Sequence, residues 1–495
     1  MSVNLESYFH LSCRTEYGLS QVVLPRRKCS DRTDVQDRIA EVANALASVC
    51  VAQASGEVYA VGIRFSPGDH LVIYLAENRA VPLETAAYLK DILAQLRAIA
   101  KGQPVAKESP ILDEAMTDAH AQKLGKTILK HVFKKFYGSL TKRDTVWDTR
   151  IEEILATLST DSNKPDLRIF EKILSALETI YKMAQYYNEM KSTQHFEQTT
   201  SEDWLLRLYS RIHRLDTLIR RSQDKSQVAA VLMRIDQDVP NPYISSESVL
   251  ENGPDLDLDD NNALRPAFSM TRFLYRIIAI SIHMQQLISI ALSPRYKAFF
   301  KNDAKIQCCP ELIKFVNVKP QHVISKLPKT TPIVAEKHTR RKEVWVHAEL
   351  KIFMALLQET FEGKPPYWVI GVSNLLCVGC HTLIGQAFPW VLREHPHTVL
   401  SPFAIPGSHG KIYPWTAPDL SFATGPIGFN MEEVIRHNMK QRMEHTLKEY
   451  VMGKPSSNSV VYMEHDVEEA YDCELLGKFE AEMESFKAQN SILSV

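Results

Sequence analysis

Apolar residues recur at helical spacing in the first part of the chain. Ile39, Val42, Ala43, Leu46 and Val49 fall on one face of a helix predicted over 36–53. A hairpin signal follows. Residues 58–65 and 71–76 read as strands, and Ser66-Pro67-Gly68-Asp69 between them is turn chemistry, so a β-hairpin is predicted. From Leu83 to about Ser293 helical spacing returns, with helices expected at 83–99, 167–190, 204–222 and 228–235. No repeat period runs through this region, which argues against a solenoid. Residues 236–266 hold Pro240, Pro242, Gly253, Pro254 and an acidic run at 255–260, and read as an exposed loop. The most apolar stretch, 273–292, is interrupted by Arg276, His283, Gln285 and Gln286, which favours a buried helix over a membrane span.

After Pro294 the pattern changes to short alternating elements. A helix is predicted from His347 to about Phe361, ended by Gly363-Lys364-Pro365-Pro366. The unbroken apolar run 367–372 reads as a buried strand. Cys377 begins a further helix that Pro389 cuts short. A strand at 398–405 and helices at 431–451 and 467–489 complete the series.

Composition adds little to this picture but excludes several classes. The 495 residues suffice for two to four domains, and 45% hydrophobic with 24% charged residues is ordinary for a globular protein. A net charge of -1 supplies no global positive field, so contact with nucleic acid would need a local patch such as Lys337–Lys342, whose other reading is a solvated loop. The first residues lack a basic segment followed by an apolar core, and the 8 cysteines are sparse. Reduced thiols, no membrane, and an intracellular location, cytoplasmic or nuclear, are the expectation.

The chemistry concentrates in two motifs, Val346-His347-Ala348-Glu349 and Cys377-Val378-Gly379-Cys380. One imidazole and two thiolates fill three positions of a tetrahedral Zn2+ and leave a fourth for water, the mark of a catalytic rather than a closed structural site. Two cysteines three apart at a helix start reach one ion, and the positive end of the helix dipole favours their thiolate form. Glu349, not itself a ligand, is placed at the first turn of its helix to carry protons between water and substrate. Three other readings exist. Cys377 to His381 fits a c-type haem attachment, the cysteine pair fits a thioredoxin-like redox site, and His381 as a fourth ligand would give a closed zinc site. The haem and redox readings leave His347 and Glu349 without a role. Cys308-Cys309 reads as two buried core thiols. His409, between glycines in Gly407-Ser408-His409-Gly410, is a candidate substrate contact, and Trp345 and Trp415 are either base-stacking or core residues.

Val346 to Leu350, followed by Ser373-Asn374-Leu375-Leu376-Cys377-Val378-Gly379-Cys380, resembles the cytidine deaminase-like superfamily, most nearly the OTT-type nucleic acid deaminase-like family found mostly in fungi. The resemblance covers about 340–415. It implies zinc at His347, Cys377 and Cys380, Glu349 as proton shuttle, and the His409 segment near the pocket; Ser373, Asn374 and Trp345 are further candidates for substrate contact. Leu376 stands where many deaminases have proline, and Asn374 where this family often has lysine. The implied fold is a three-layer α/β/α domain with a mixed sheet and the zinc site at two helix N-termini. Because such domains start with a helix and a hairpin, a split domain is expected: 36–82 and 331–425, with a helical insertion or domain at 83–330 and terminal helices at 430–490. The implied function is zinc-dependent deamination of a cytosine- or adenine-type base, in single-stranded nucleic acid or a nucleotide. The rival is a catalytically inactive zinc domain acting as an interaction scaffold, with the helical region binding a protein partner.

Overall fold

The computed structural model describes residues 34–53, 56–66, 70–102, 119–141, 164–191, 198–221, 225–237, 270–293, 296–300, 302–318, 340–363 and 369–373. It also describes short pieces within 151–158, 376–387, 416–419 and 436–441. The expected strand at 398–405, the helix at 467–489 and nearly all of the acidic loop lie outside the described residues.

Eight helices are used below: α1 (Asp34–Cys50), α2 (Leu83–Gly102), α3 (Ala119–Thr141), α4 (Lys164–Lys191), α5 (Gln198–Arg220), α6 (Lys225–Gln237), α7 (Met270–Leu292) and α8 (Ala348–Phe361). The strands are β1 (Tyr59–Ser66), β2 (His70–Glu77), β3 (Lys305–Cys308), β4 (Ile313–Val318), β5 (Arg340–Trp345) and β6 (Ile370–Val372).

The hairpin forms as its two strand-like runs and intervening turn predict, antiparallel from Tyr59↔Glu77 to Ser66↔His70. It does not stand alone. β6 pairs antiparallel with β1 through Ala60↔Val372, Val61↔Gly371 and Gly62↔Ile370, and β3 runs parallel to β2 from Val72↔Lys305 to Leu75↔Cys308. The result is a mixed sheet in the order β3-β2-β1-β6. β4 and β5 make a separate antiparallel ribbon in which Trp345 lies opposite Ile313.

Two glycines fix the layers. A Cβ on Gly371 would sit 2.0 Å from the Ala43 carbonyl carbon, so the backbone of α1 lies directly on β6. A Cβ on Gly62 would meet Ile352 Cγ2 at 2.8 Å and Leu356 Cδ2 at 3.3 Å, both on α8. Gly62 pairs with Ile370, the neighbour of Gly371, and successive strand residues point to opposite faces. α1 and α8 therefore cover opposite faces of the sheet. On the α8 side, Arg64 pairs with Glu359 at 3.2 Å, and Tyr74, across the hairpin from Gly62, donates its hydroxyl to the same carboxylate.

On the α1 side the core runs without a break into the helical region. Ile39 and Leu46 of α1, Ile63 and Ile73 of the hairpin, Ile92 of α2, Phe133 of α3 and Ile277 and Leu287 of α7 belong to one buried cluster. α7 packs against α1, α2, α3 and α5. Among the described residues it is the one helix long and apolar enough to cross a membrane, and most of it is buried inside the protein. The chain is thus mostly helical around a mixed four-stranded sheet. In the stretch after Pro294, where short alternating elements are expected, residues 305–308 and 313–318 are strands. β3 exposes most of its four residues and is held by backbone bonding to β2, so its side chains carry no periodic signal.

Candidate metal centre

α8 starts beside the exit of β2. His347 is its N-cap residue, extended at φ -66 and ψ 154, and its carbonyl accepts the N–H groups of Leu350 (3.1 Å) and Lys351 (3.2 Å). The His347 side chain makes no capping bond. The Ala348 N–H instead donates to Asn78 Oδ1 at 2.9 Å, which anchors the helix start to the residue after β2. β6 approaches from the other side. Its Val372 N–H donates to Asn44 Oδ1 (2.9 Å), and Ser373 is bound twice to Tyr59, donating N–H to the Tyr59 carbonyl and accepting the Tyr59 N–H at Oγ, both at 2.9 Å. A few residues on, His381 N–H donates to the Cys377 carbonyl at 3.0 Å, the first turn of the next helical segment.

These two helix starts bring the motif residues together. His347 Nδ1 lies 3.4 Å from Cys377 Sγ and 3.4 Å from Cys380 Sγ, and the Cys380 N–H points to Cys377 Sγ at 3.4 Å. Among the described residues this is the one group of three such donors, all within 4.8 Å of one another. The spacing suits zinc. Tetrahedral bonds of about 2.3 Å to sulfur and about 2.0 Å to nitrogen place sulfur and nitrogen about 3.5 Å apart. The observed separations fall within a few tenths of an ångström of that value. Both cysteines are buried free thiols, and His381 is outside the cluster of donors.

Glu349 follows His347 by two residues and turns into the same space, with Oε2 3.9 Å from Cys380 Sγ. It is 3% exposed. Burial pushes its carboxyl up to about 7, aided by Cys377 and opposed by His347. Burial alone would raise the Cys377 thiol too, but the hydrogen bond from Cys380 and the His347 ring outweigh it and hold Cys377 well below the ordinary thiol value. The centre therefore combines a site favouring thiolate with a carboxyl group balanced between its two protonation states.

The remaining candidates take varied places. Ser373 is fully buried and its hydroxyl is engaged by Tyr59 at the seam of β1 and β6. Trp345, at the end of β5 two residues before His347, is half-buried with the Arg79 guanidinium 5.7 Å over its ring. Arg340, Arg341 and Lys342 of the basic run belong to β5. Asn374, His409 and Trp415 lie outside the described residues. The expected pair of buried thiols at 308 and 309 is corrected: Cys309 is buried, with its pKa pushed up to about 12, but Cys308 is exposed at the sheet edge. Sequence reasoning missed Asn78 and Lys351, which hold the start of α8. Their partners lie some 270 residues away in the chain, and no spacing rule connects them.

Residues 346–419, which contain His347, Glu349, Cys377 and Cys380, match the family model of the OTT_1508-like deaminases. No curated protein and no solved structure matches the chain.

Proposed function

We propose that this protein is a zinc-dependent hydrolytic deaminase acting on a cytosine- or adenine-type base in single-stranded nucleic acid. The observation that carries the reading is the convergence of His347 Nδ1 and the Cys377 and Cys380 sulfurs beside a buried Glu349, inside the stretch that matches a deaminase-like family. His347 and the two thiolates would hold the metal. When bound, zinc supplies a Lewis acid that lowers the pKa of a water molecule towards neutrality.

The chain's own part falls chiefly to Glu349. Burial beside the metal ligands eases protonation of its carboxyl, so the group can both accept and return a proton. It would take one from the attacking water and deliver it to the departing amine, so that water is consumed, the base gains a carbonyl and ammonia leaves. The buried surroundings of Glu349 and Cys380 keep bulk water from competing for that proton. The first turn of α8 points its positive dipole end at the centre and favours the thiolates.

The deaminase domain in this reading is split, with the helix and hairpin at 36–82 joined to 331–425 and the helical region inserted between them. Pairing of β1 with β6 and packing of α1 on Gly371 support it. Nucleic acid is preferred to a free nucleoside on the family likeness, since a net charge of -1 offers no steering field. Ammonia release from single-stranded DNA, RNA and free nucleosides tests the proposal. Release from a single-stranded substrate by the wild type, abolished in Glu349→Ala, is expected. Equal release by both on every substrate overturns the catalytic reading in favour of an interaction scaffold.

A further inference from the structure

Lys351 is 2% exposed, yet it sits in a helix whose neighbouring positions, Leu350, Ile352 and Phe353, are buried and apolar. Its ammonium donates to three consecutive backbone carbonyls where β2 ends: Glu77 at 2.7 Å, Asn78 at 3.1 Å and Arg79 at 3.0 Å. An ammonium has three donors and no acceptor, so its capacity is filled. Glu77 is the last paired residue of the hairpin, and the Asn78 and Arg79 carbonyls lie beyond it, past the end of the ladder with β1. An apolar side chain at 351 would fill the space but leave buried acceptors without donors.

The same segment is tied a second time. Asn78 Oδ1 accepts the Ala348 N–H at 2.9 Å, so residues 77–79 grip α8 from both ends of its first turn. That turn carries His347 at its cap and Glu349 two residues on, whereas the thiols come from the segment after β6. The distance between the two halves of the centre is therefore set by how α8 seats on the exit of β2. Lys351 is one helical turn from His347 and does not belong to the donor cluster.

We propose that Lys351 is a positioning residue for the metal centre: by clamping the exit of β2 to the first turn of α8 it sets the His347 ring and the Glu349 carboxylate against the two thiols. The role rests on the metal site proposed above. Partners that orient ligands from outside the coordination shell typically contribute ten- to a hundredfold in metal affinity.

The test uses the full chain and zinc itself. Zinc affinity is measured by competition with a chromophoric chelator, and cobalt-loaded protein gives a visible spectrum that reports the geometry at the metal. Lys351→Met is expected to bind zinc about tenfold or more weakly and to shift the cobalt bands, while Lys351→Arg, which keeps the charge and donors, recovers part of the affinity. A role in folding alone lowers the melting temperature and leaves affinity and spectrum of the folded protein unchanged, which overturns the proposal. If Lys351→Met yields no folded protein, Lys351→Gln is read by the same criterion, because its shorter side chain has two donors for the three carbonyls and no charge. Wild type that binds zinc no better than His347→Ala removes the metal site and the role of Lys351 with it. Wild type that binds zinc through His347 beside an unchanged Lys351→Met removes the role of Lys351 alone.

Discussion

Replacing Gly371 by alanine tests the joint between α1 and the strand that leads to the thiols. The added Cβ would lie 2.0 Å from the Ala43 carbonyl carbon and 2.4 Å from both the Ala43 oxygen and the Asn44 nitrogen. All three are backbone atoms, so no rotamer change relieves the clash. Restoring an ordinary carbon–carbon contact of about 3.5 Å requires α1 or β6 to move by about 1.5 Å. That shift would unseat Ile39, Ala43 and Leu46, all essentially inaccessible, and stretch the bond from Val372 to Asn44. Overpacking in cores costs about 1–3 kcal/mol, and an immovable obstacle puts Gly371→Ala at about 3 kcal/mol or above. Gly62→Ala is the internal control. Its Cβ meets a side-chain methyl, Ile352 Cγ2, at 2.8 Å rather than backbone; that β-branched side chain is stiff, so α8 must yield by a few tenths of an ångström, while alanine regains about 0.5–1 kcal/mol over glycine in a strand. A net cost of about 1 kcal/mol or less is expected there. Urea denaturation of the two variants, compared at constant slope, measures both values. Gly371→Ala within about 1 kcal/mol of wild type, or less damaging than Gly62→Ala, would refute the packing of α1 on β6.

Glu349→Gln keeps the shape of the side chain and removes its proton chemistry. It is expected to retain stoichiometric zinc in elemental analysis and to lose at least about a hundredfold in ammonia release; loss of the metal instead would mean that Glu349 supports the site itself. Stability should also depend on His283 of α7. Burial, with Lys135 and Arg220 adding repulsion, lowers its pKa from 6.5 to about 4 despite the bond to Gln286 Oε1. Between those values the unfolded chain takes up the proton and the folded one does not. Stability is therefore whole above pH 6.5 and declines as pH falls towards 4, by about 3 kcal/mol from this residue. Denaturation midpoints of wild type and His283→Gln across that window check it, and parallel profiles would exclude His283 as the cause.

Several elements were legible because their chemistry is local. The 3.6-residue period of Ile39, Val42, Ala43 and Leu46 marks α1, and two apolar strand-like runs around a Pro-Gly turn mark the hairpin. The His347–Glu349 and Cys377–Cys380 motifs name the centre through residue type and spacing, and the structure brings His347, Cys377 and Cys380 into one cluster. What escaped is what depends on distant backbone. β3 is four mostly exposed residues that become a strand by pairing with β2. β5 begins in a basic run that reads as solvated loop, and only its partner β4 makes it extended. Lys351 has the sequence signature of a surface lysine, yet three carbonyls from the far end of the hairpin receive it in the interior.

The coordination of the metal is the most direct measurement of the central claim. X-ray absorption at the zinc edge of the purified full chain should show one zinc per chain, with two sulfur neighbours at about 2.3 Å and two lighter neighbours at about 2.0 Å, one of them nitrogen from imidazole. The sulfur count should fall to one in Cys377→Ser if that variant retains metal. Absence of stoichiometric zinc, or a shell of three or four sulfurs, would contradict a centre built from His347, Cys377 and Cys380.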